Sequence, residues 1–405
     1  MLSSFSWLDY SDSDRRKMLD VIDQFGEQDT RDELGIGTIR DALSDILFPG
    51  TTTIQTRARY FLFVPWIYLN LERRKIASAA IARLARRDEM LLVDALAASP
   101  DAEGTIGIQA RGGLKRLASS VYWQGMAVWG IREFPGSQDQ YHRALDRFYM
   151  LGQHIQRTDD GEPVAGRLAR NWHAGLPDLP DRFPKEASFA VPRHEARYLR
   201  DRIAQRCPGS LLAFLIDAQT DLTIVDFPWE HTQLADFLPE NREQLDHARN
   251  LSETVHGALL LYNLMLAEVS QRNGLASEYE HRLRVWADAM VRRIDALSAW
   301  DRSGFWRIAT STGARVTPRT RGFVEEWLEI AITDPGGVAG NRRARSLIHD
   351  RERALKRQLA RLDNRRALEM WSGAAGTGQL NYRWPTVRTI IADIVKGLWE
   401  GAPDA

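Results

Sequence analysis

Residues 243–272, EQLDHARNLSETVHGALLLYNLMLAEVSQR, decide how the rest of the chain is read. Val255, Leu259 and Leu266, with Leu260 and Leu264, recur at intervals of four and seven, the spacing of one helix face. Asn273-Gly274 follows as a stop signal. The stretch therefore predicts one long helix. It carries polar groups inside its apolar run: Glu253, His256 and Asn263 lie close together around the axis. A buried carboxylate–histidine pair is a general acid–base unit or half of a metal site. The Glu-x-x-His spacing is that of carboxylate-bridged di-metal bundles, which need two such motifs, and the sequence holds one. A satisfied hydrogen-bond cluster in the core is the better-supported expectation.

Moving outward, the same periodicity recurs. Asp12 or Ser13 can cap a helix through Met18, Leu19, Ile22 and Phe25 that Gly26 ends. Further helices are expected over 36–47, 55–75, 76–98, 114–131, 277–300, 317–332, 342–371 and 387–399. Thr317 and Pro318 make a cap and first-turn pair. The run LTIVDF at 222–227 reads as a short strand. Five prolines between 163 and 192 exclude long helices there. The expected architecture is mainly α and multi-helix: a helical unit over 1–156, a proline-rich boundary or covering loop over 157–192, and a second helical unit over 193–405, with a few short strands.

Lysine and arginine total 54, and aspartate and glutamate also total 54, so the formal net charge is zero. That argues against holding duplex nucleic acid by the field of the whole molecule, and leaves room only for a local basic face. The one cysteine, Cys207, allows neither an internal disulfide nor a cysteine-built zinc site, which fits a reducing compartment. The acidic start (Asp9, Asp12, Asp14, Asp20) is unlike a signal peptide. The most apolar segment, YFLFVPWIYLNL at 60–71, is broken by Pro65 and flanked by Arg57, Arg59, Arg73 and Arg74. It falls short of the roughly twenty residues of a membrane helix and reads as buried core. A cytoplasmic protein is expected, without membrane or cofactor.

The strongest chemical lead is the basic segment 341–366, with ten lysines and arginines against Asp350, Glu352 and Asp363. On a helix, Arg342, Arg345, His349, Arg353 and Lys356 share an arc of roughly 80°. Ala344, Ile348, Leu355, Leu359 and Leu362 form a separate apolar arc. With Arg57 and Arg59, the cations make a candidate nucleic-acid surface. The competing expectation is a solvated face matched by acidic residues elsewhere. Glu230 and His231, in Trp229-Glu230-His231 after the strand-like run, could join Glu253 and His256 in a hydrolase site. They lack nuclease-like companions and suit a structural turn. Gly373-Ala374-Ala375-Gly376-Thr377-Gly378 resembles a phosphate cradle in composition only. Thirteen tryptophans, several beside arginine, suit helix packing better than base stacking.

Several long strings resemble a bacterial family of unknown function, numbered six-three-six-one. They are FSWLDYSDSDRRKML (5–19), TRDELGIGTIRDALSDILFPGTTTIQTRARYFLFVPWIY (30–68), HGALLLYNLMLAE (256–268), DNRRALEMWSG (363–373) and LNYRWPTV (380–387). The resemblance spans most of the chain and implies no catalytic residues. It does imply company with helicases and phospholipase-D-like nucleases in defence-type gene clusters. Together these features lead to the expectation of a non-enzymatic helical accessory subunit that contacts nucleic acid or a nucleic-acid-acting partner. The alternatives are a metal- or acid/base-dependent hydrolase and a protein-binding adaptor with a tryptophan-rich surface.

Overall fold

A computed structural model of the protein describes residues 32–110, 113–114, 116–153, 170–217 and 220–399. The helix expected over 12–25 and residues 157–169 of the proline-rich stretch lie outside them. The described residues hold fifteen α-helices and no strand, so the protein is mainly α. The helices sort into two compact units, each assembled from separated stretches of chain.

One unit comprises Asp45–Arg242 and Arg383–Ala405. It follows α1 (Gly37–Leu47), inside which the boundary falls, and contains α2 (Tyr60–Arg73), α3 (Ser78–Ala97), α4 (Ala118–Val128), α5 (Gln138–Gln153), α6 (Arg193–Arg206), α7 (Leu211–Asp217) and the final α15 (Trp384–Trp399). Every residue of α2 from Tyr60 to Tyr68 is buried, as a helix apolar on all sides demands. Helices α3 and α4 pack against it. Residues 170–192 run over it: Trp66 Nε1 donates to Pro177 O at 2.7 Å, Phe183 packs on Trp66 and Phe63, and Phe189 on Tyr60. Each such ring contributes about 1.5–3 kcal/mol by burial. Helix α15 closes the unit against α6 and α7.

The other unit comprises Met1–Ser44 and Glu243–Tyr382. Its axis is α8 (Pro239–Val269), followed by α9 (Asn273–Arg292), α10 (Ile294–Ser298), α11 (Arg302–Thr310), α12 (Pro318–Thr333), α13 (Arg342–Lys356) and α14 (Arg365–Glu369). Ring donors from other segments bind carbonyls of α8: Trp286 Nε1 to Glu253 O at 2.7 Å, Trp327 Nε1 to Thr254 O at 2.9 Å, and Tyr382 OH to Ala248 O at 2.7 Å. Eleven of the thirteen tryptophans are buried. Trp399 is 54% exposed, and Trp7 lies outside the described residues.

Three expectations are corrected. The run 222–227 is not a strand: it has no regular secondary structure, with Ile224 75% exposed, and the Val225 carbonyl receives Trp384 Nε1 and Arg388 Nη1. A strand needs a neighbouring strand to complete its ladder, and none is present among the described residues. Asn273 opens α9 rather than closing α8, because the turn is made at Gln271, φ 57°. Helix α13 stops at Lys356, where Arg357 takes φ 51°, so the segment 342–371 is two helices joined by a 3-10 turn. The unit boundaries fall near residues 44, 242 and 382, and residues 170–192 lie within one unit. No described helix is long and apolar enough to cross a membrane.

Candidate functional site

The cationic arc of α13 forms, but the protein's own acids occupy most of it. Arg345 grips Glu268 with Nη1 and Nη2 at 2.7 and 2.6 Å. Lys356 Nζ pairs with Glu33 and Glu352 and donates to the Tyr262 hydroxyl at 2.8 Å. His349 Nε2 meets Asp363 at 2.8 Å, which raises its pKa, and Arg353 lies 3.6 Å from the same carboxylate. Arg342 is exposed and has no ion-pair partner among the described residues. Nor is the inner face simply apolar. Ala344 and Ile348 are buried, yet Leu355 and Leu359 are 43% and 70% exposed, and Arg351 and Glu352 take the inward positions. Arg351 Nε donates to Leu34 O at 2.8 Å, and Glu352 accepts the Arg361 and Leu362 amides at 3.0 Å each.

Arg57 and Arg59 are likewise committed. Arg57 grips Asp393 through Nε and Nη2 at 2.9 Å each, with Phe189 stacked 4.5 Å from the guanidinium carbon. Arg59 grips Glu195 at 2.7 and 2.6 Å, and its Nη1 donates to Ser188 O at 2.9 Å. Both arginines tie loop and helix together inside one unit, with their guanidiniums paired to the protein's own carboxylates.

The two carboxylate–histidine pairs belong to different units, and each side chain has a local partner. Glu253 is clamped by Arg249 Nε at 2.8 Å and by Arg293 Nη1. His256 Nε2–H donates to Thr377 O at 3.1 Å, and burial lowers its pKa to about 4. Asn263 completes this group by exchanging two 2.8 Å bonds with the Ala375 backbone, so the 373–378 loop is pinned to α8. Glu230 accepts the Phe227 amide at 3.2 Å, and His231 Nδ1 accepts that of Gln233 at 3.2 Å, inside a turn. No group of three or more His, Cys, Asp or Glu that could hold a metal occurs among the described residues.

The feature that the linear sequence does not disclose is a cleft of about 1060 Å³ in the unit of α2 to α7. It is walled by the end of α4, α5, residues 170–173 and α6. Five arginines line it, Arg132, Arg147, Arg170, Arg202 and Arg206, and Glu133 is the one carboxylate among the described lining residues. Arg132 is 5% exposed and donates to the Trp123 and Gly136 carbonyls at 3.1 and 2.8 Å. Arg202 is 8% exposed and donates to Trp129 O at 3.2 Å and Gln205 Oε1 at 2.9 Å. Neither meets a carboxylate among the described residues, and burial pulls the Arg132 pKa down to about 10. Gly130, at φ 64°, makes room for the pair on α6: a Cβ there would stand 2.5 Å from Arg202 Nη2 and 3.0 Å from Arg206 Nε. His173 Nε2 lies 3.1 Å from Arg202 Nη1, and burial together with that guanidinium lowers its pKa, so the ring is neutral. Phe134 and Phe148 add aromatic faces. The arginines come from four separate segments, and although the α6 stretch RHEARYLRDRIAQR is itself basic, its convergence with Arg132, Arg147 and Arg170 is not visible along the chain.

No curated protein and no solved structure matches the chain. The sequence profile of one family matches residues 2–396, nearly the whole length, and the protein therefore belongs to the family of unknown function DUF6361.

Proposed function

We propose that this protein contacts single-stranded nucleic acid through the arginine-lined cleft between α4, α5 and α6, and not through the arc of α13. The observation that carries the proposal is the pair of buried guanidiniums, Arg132 and Arg202, that have no carboxylate counterpart among the described residues. Taking an ion out of water costs several kcal/mol unless an opposite charge offsets it. An anion in the cleft would supply that charge. Arg147, Arg170 and Arg206 are exposed around it and extend the positive field to the mouth. A volume of about 1060 Å³ reaches the upper limit of an ordinary small-ligand pocket, and Phe134 and Phe148 offer surfaces on which bases can stack. A neutral chain with a local basic cleft suits a partner held by a few phosphates.

The test is fluorescence anisotropy with short oligo-dT and oligo-U across a salt series. Single strands lose affinity with a log–log slope of about −0.7 per phosphate contact, so the three exposed arginines imply a slope near −2. Replacing Arg147, Arg170 and Arg206 together by alanine should flatten that slope, whereas Arg345→Ala should leave it unchanged. Absence of salt-dependent binding, or binding indifferent to the triple variant, would reject the proposal. The wider role, an accessory subunit beside a helicase or nuclease in a bacterial defence cluster, rests on the family resemblance, and co-purification from the native host tests it. The hydrolase alternative draws no support from Glu253, His256, Glu230 and His231, whose side chains are engaged by Arg249 and Arg293, by the Thr377 carbonyl, and by amides of their own turn.

A further inference from the structure

The unit built on α8 holds a second cleft of different chemistry, about 470 Å³, between α8 and α9. Its floor is apolar. Leu260, Trp286 and Met290 are buried there, and Val285 is 54% exposed at the mouth. Trp286 reaches the floor because residue 257 is glycine: a Cβ at that position would stand 2.3 Å from the indole Cζ2. The indole is then fixed by its 2.7 Å bond to Glu253 O.

The rim is cationic. Arg249, Arg282, Arg292 and Arg293 all line the cleft, and the one carboxylate among its lining residues, Glu253, is already shared by Arg249 and Arg293. Arg292 is exposed and has no ion-pair partner among the described residues. Arg282 has a long 3.4 Å contact to Thr377 O and stacks 5.3 Å from the Tyr279 ring, which leaves its charge uncompensated. His256, in the same wall, is neutral and adds no charge of its own. An apolar, indole-floored slot beside two uncompensated guanidiniums has the two halves of an amphipathic anion's binding site. The space, about 470 Å³, is less than half that of the arginine-lined cleft and suits a small molecule.

We infer that the α8–α9 cleft is a small-molecule site for an anion with an apolar body, its carboxylate, sulfonate or phosphate head at Arg282 and Arg292 and its ring or short chain over Leu260, Trp286 and Met290. The site is separate in residues and in chemistry from the proposed nucleic-acid cleft.

The experiment uses the full chain with naphthalene-1-sulfonate as probe and 1-naphthalenemethanol as its neutral counterpart, read by isothermal titration and saturation-transfer NMR. Saturable binding of the sulfonate, at least tenfold tighter than the alcohol, is expected. Arg282→Gln with Arg292→Gln should weaken it at least tenfold without shifting the thermal midpoint. Val285→Asp, an exposed position that tolerates a polar side chain, should do the same by setting a like charge at the mouth. Arg147→Ala with Arg206→Ala should leave it unchanged. Failure of the sulfonate to saturate, equal binding of the alcohol, indifference to both sets of α9 substitutions, or loss in the Arg147/Arg206 variant would each overturn the inference.

Discussion

Removing the carboxylate of Glu195 should destabilise the protein severely, and removing its partner as well should restore most of the loss. The Arg59 and Glu195 side chains are 9% and 3% exposed and joined by two parallel bonds of 2.7 and 2.6 Å. The guanidinium also lies 5.4 Å from the Phe63 ring centroid, in surroundings that exclude water. Glu195→Ala leaves that charge buried and unpaired, a loss of about 3–5 kcal/mol. For a unit of this size each kcal/mol moves the melting midpoint by about 2–4 °C, so a fall on the order of 6–20 °C follows. Arg59→Met alone strands the carboxylate at similar cost. The double variant Arg59→Met, Glu195→Leu removes both charges and should lie within about 2 kcal/mol of the parent, since well-packed apolar replacements of buried pairs are often neutral or better. Urea titrations of the four proteins, with a common m-value, complete the cycle. A loss below about 1 kcal/mol in Glu195→Ala would match an exposed pair. It would mean that Arg59 reaches water, refuting the burial argument and returning this arginine to the list of phosphate contacts.

Other perturbations separate the roles assigned above. Arg345→Ala breaks a pair whose side chains are 30% and 38% exposed, and should cost less than about 1 kcal/mol in urea titration. His256 has a folded pKa of about 4 against an ordinary value of 6.5. The unfolded chain therefore takes up the proton first, and stability present above pH 6.5 is lost as the pH falls towards 4, by at most about 3 kcal/mol. His256→Gln should flatten that part of the stability–pH curve, and an unchanged curve would refute the assignment. Gly257→Ala drives a methyl into the Trp286 ring, and should lower stability by about 1–3 kcal/mol while displacing the indole from the α8–α9 cleft, a change that near-ultraviolet circular dichroism would register.

What was legible beforehand follows from how far each interaction reaches along the chain. Tyr60 to Tyr68 were recognisable as core because a nine-residue window with almost no polar group can only be buried. The Asn263 and His256 cluster was legible as satisfied polar core, but its partners at Ala375 and Thr377 lie 112 and 121 residues away. The strand at 222–227 was wrongly expected because β-branched composition reports a local preference, whereas a strand is completed only by a neighbour. The end of α13 at Arg357 was missed because a left-handed residue other than glycine leaves no compositional mark.

The amino-acid sequence by itself determined that the chain is helical, where most helices lie, and that no net field drives it towards polyanions, since periodicity and charge totals are local or additive properties. Only the tertiary structure decided which cations remain available. Arg345 is neutralised from 77 residues away, Lys356 from 323 and Arg57 from 336, while Arg132 and Arg202 converge on one cleft without a carboxylate partner among the described residues. Coulomb interactions depend on distance in space, and folding sets that distance independently of separation along the chain.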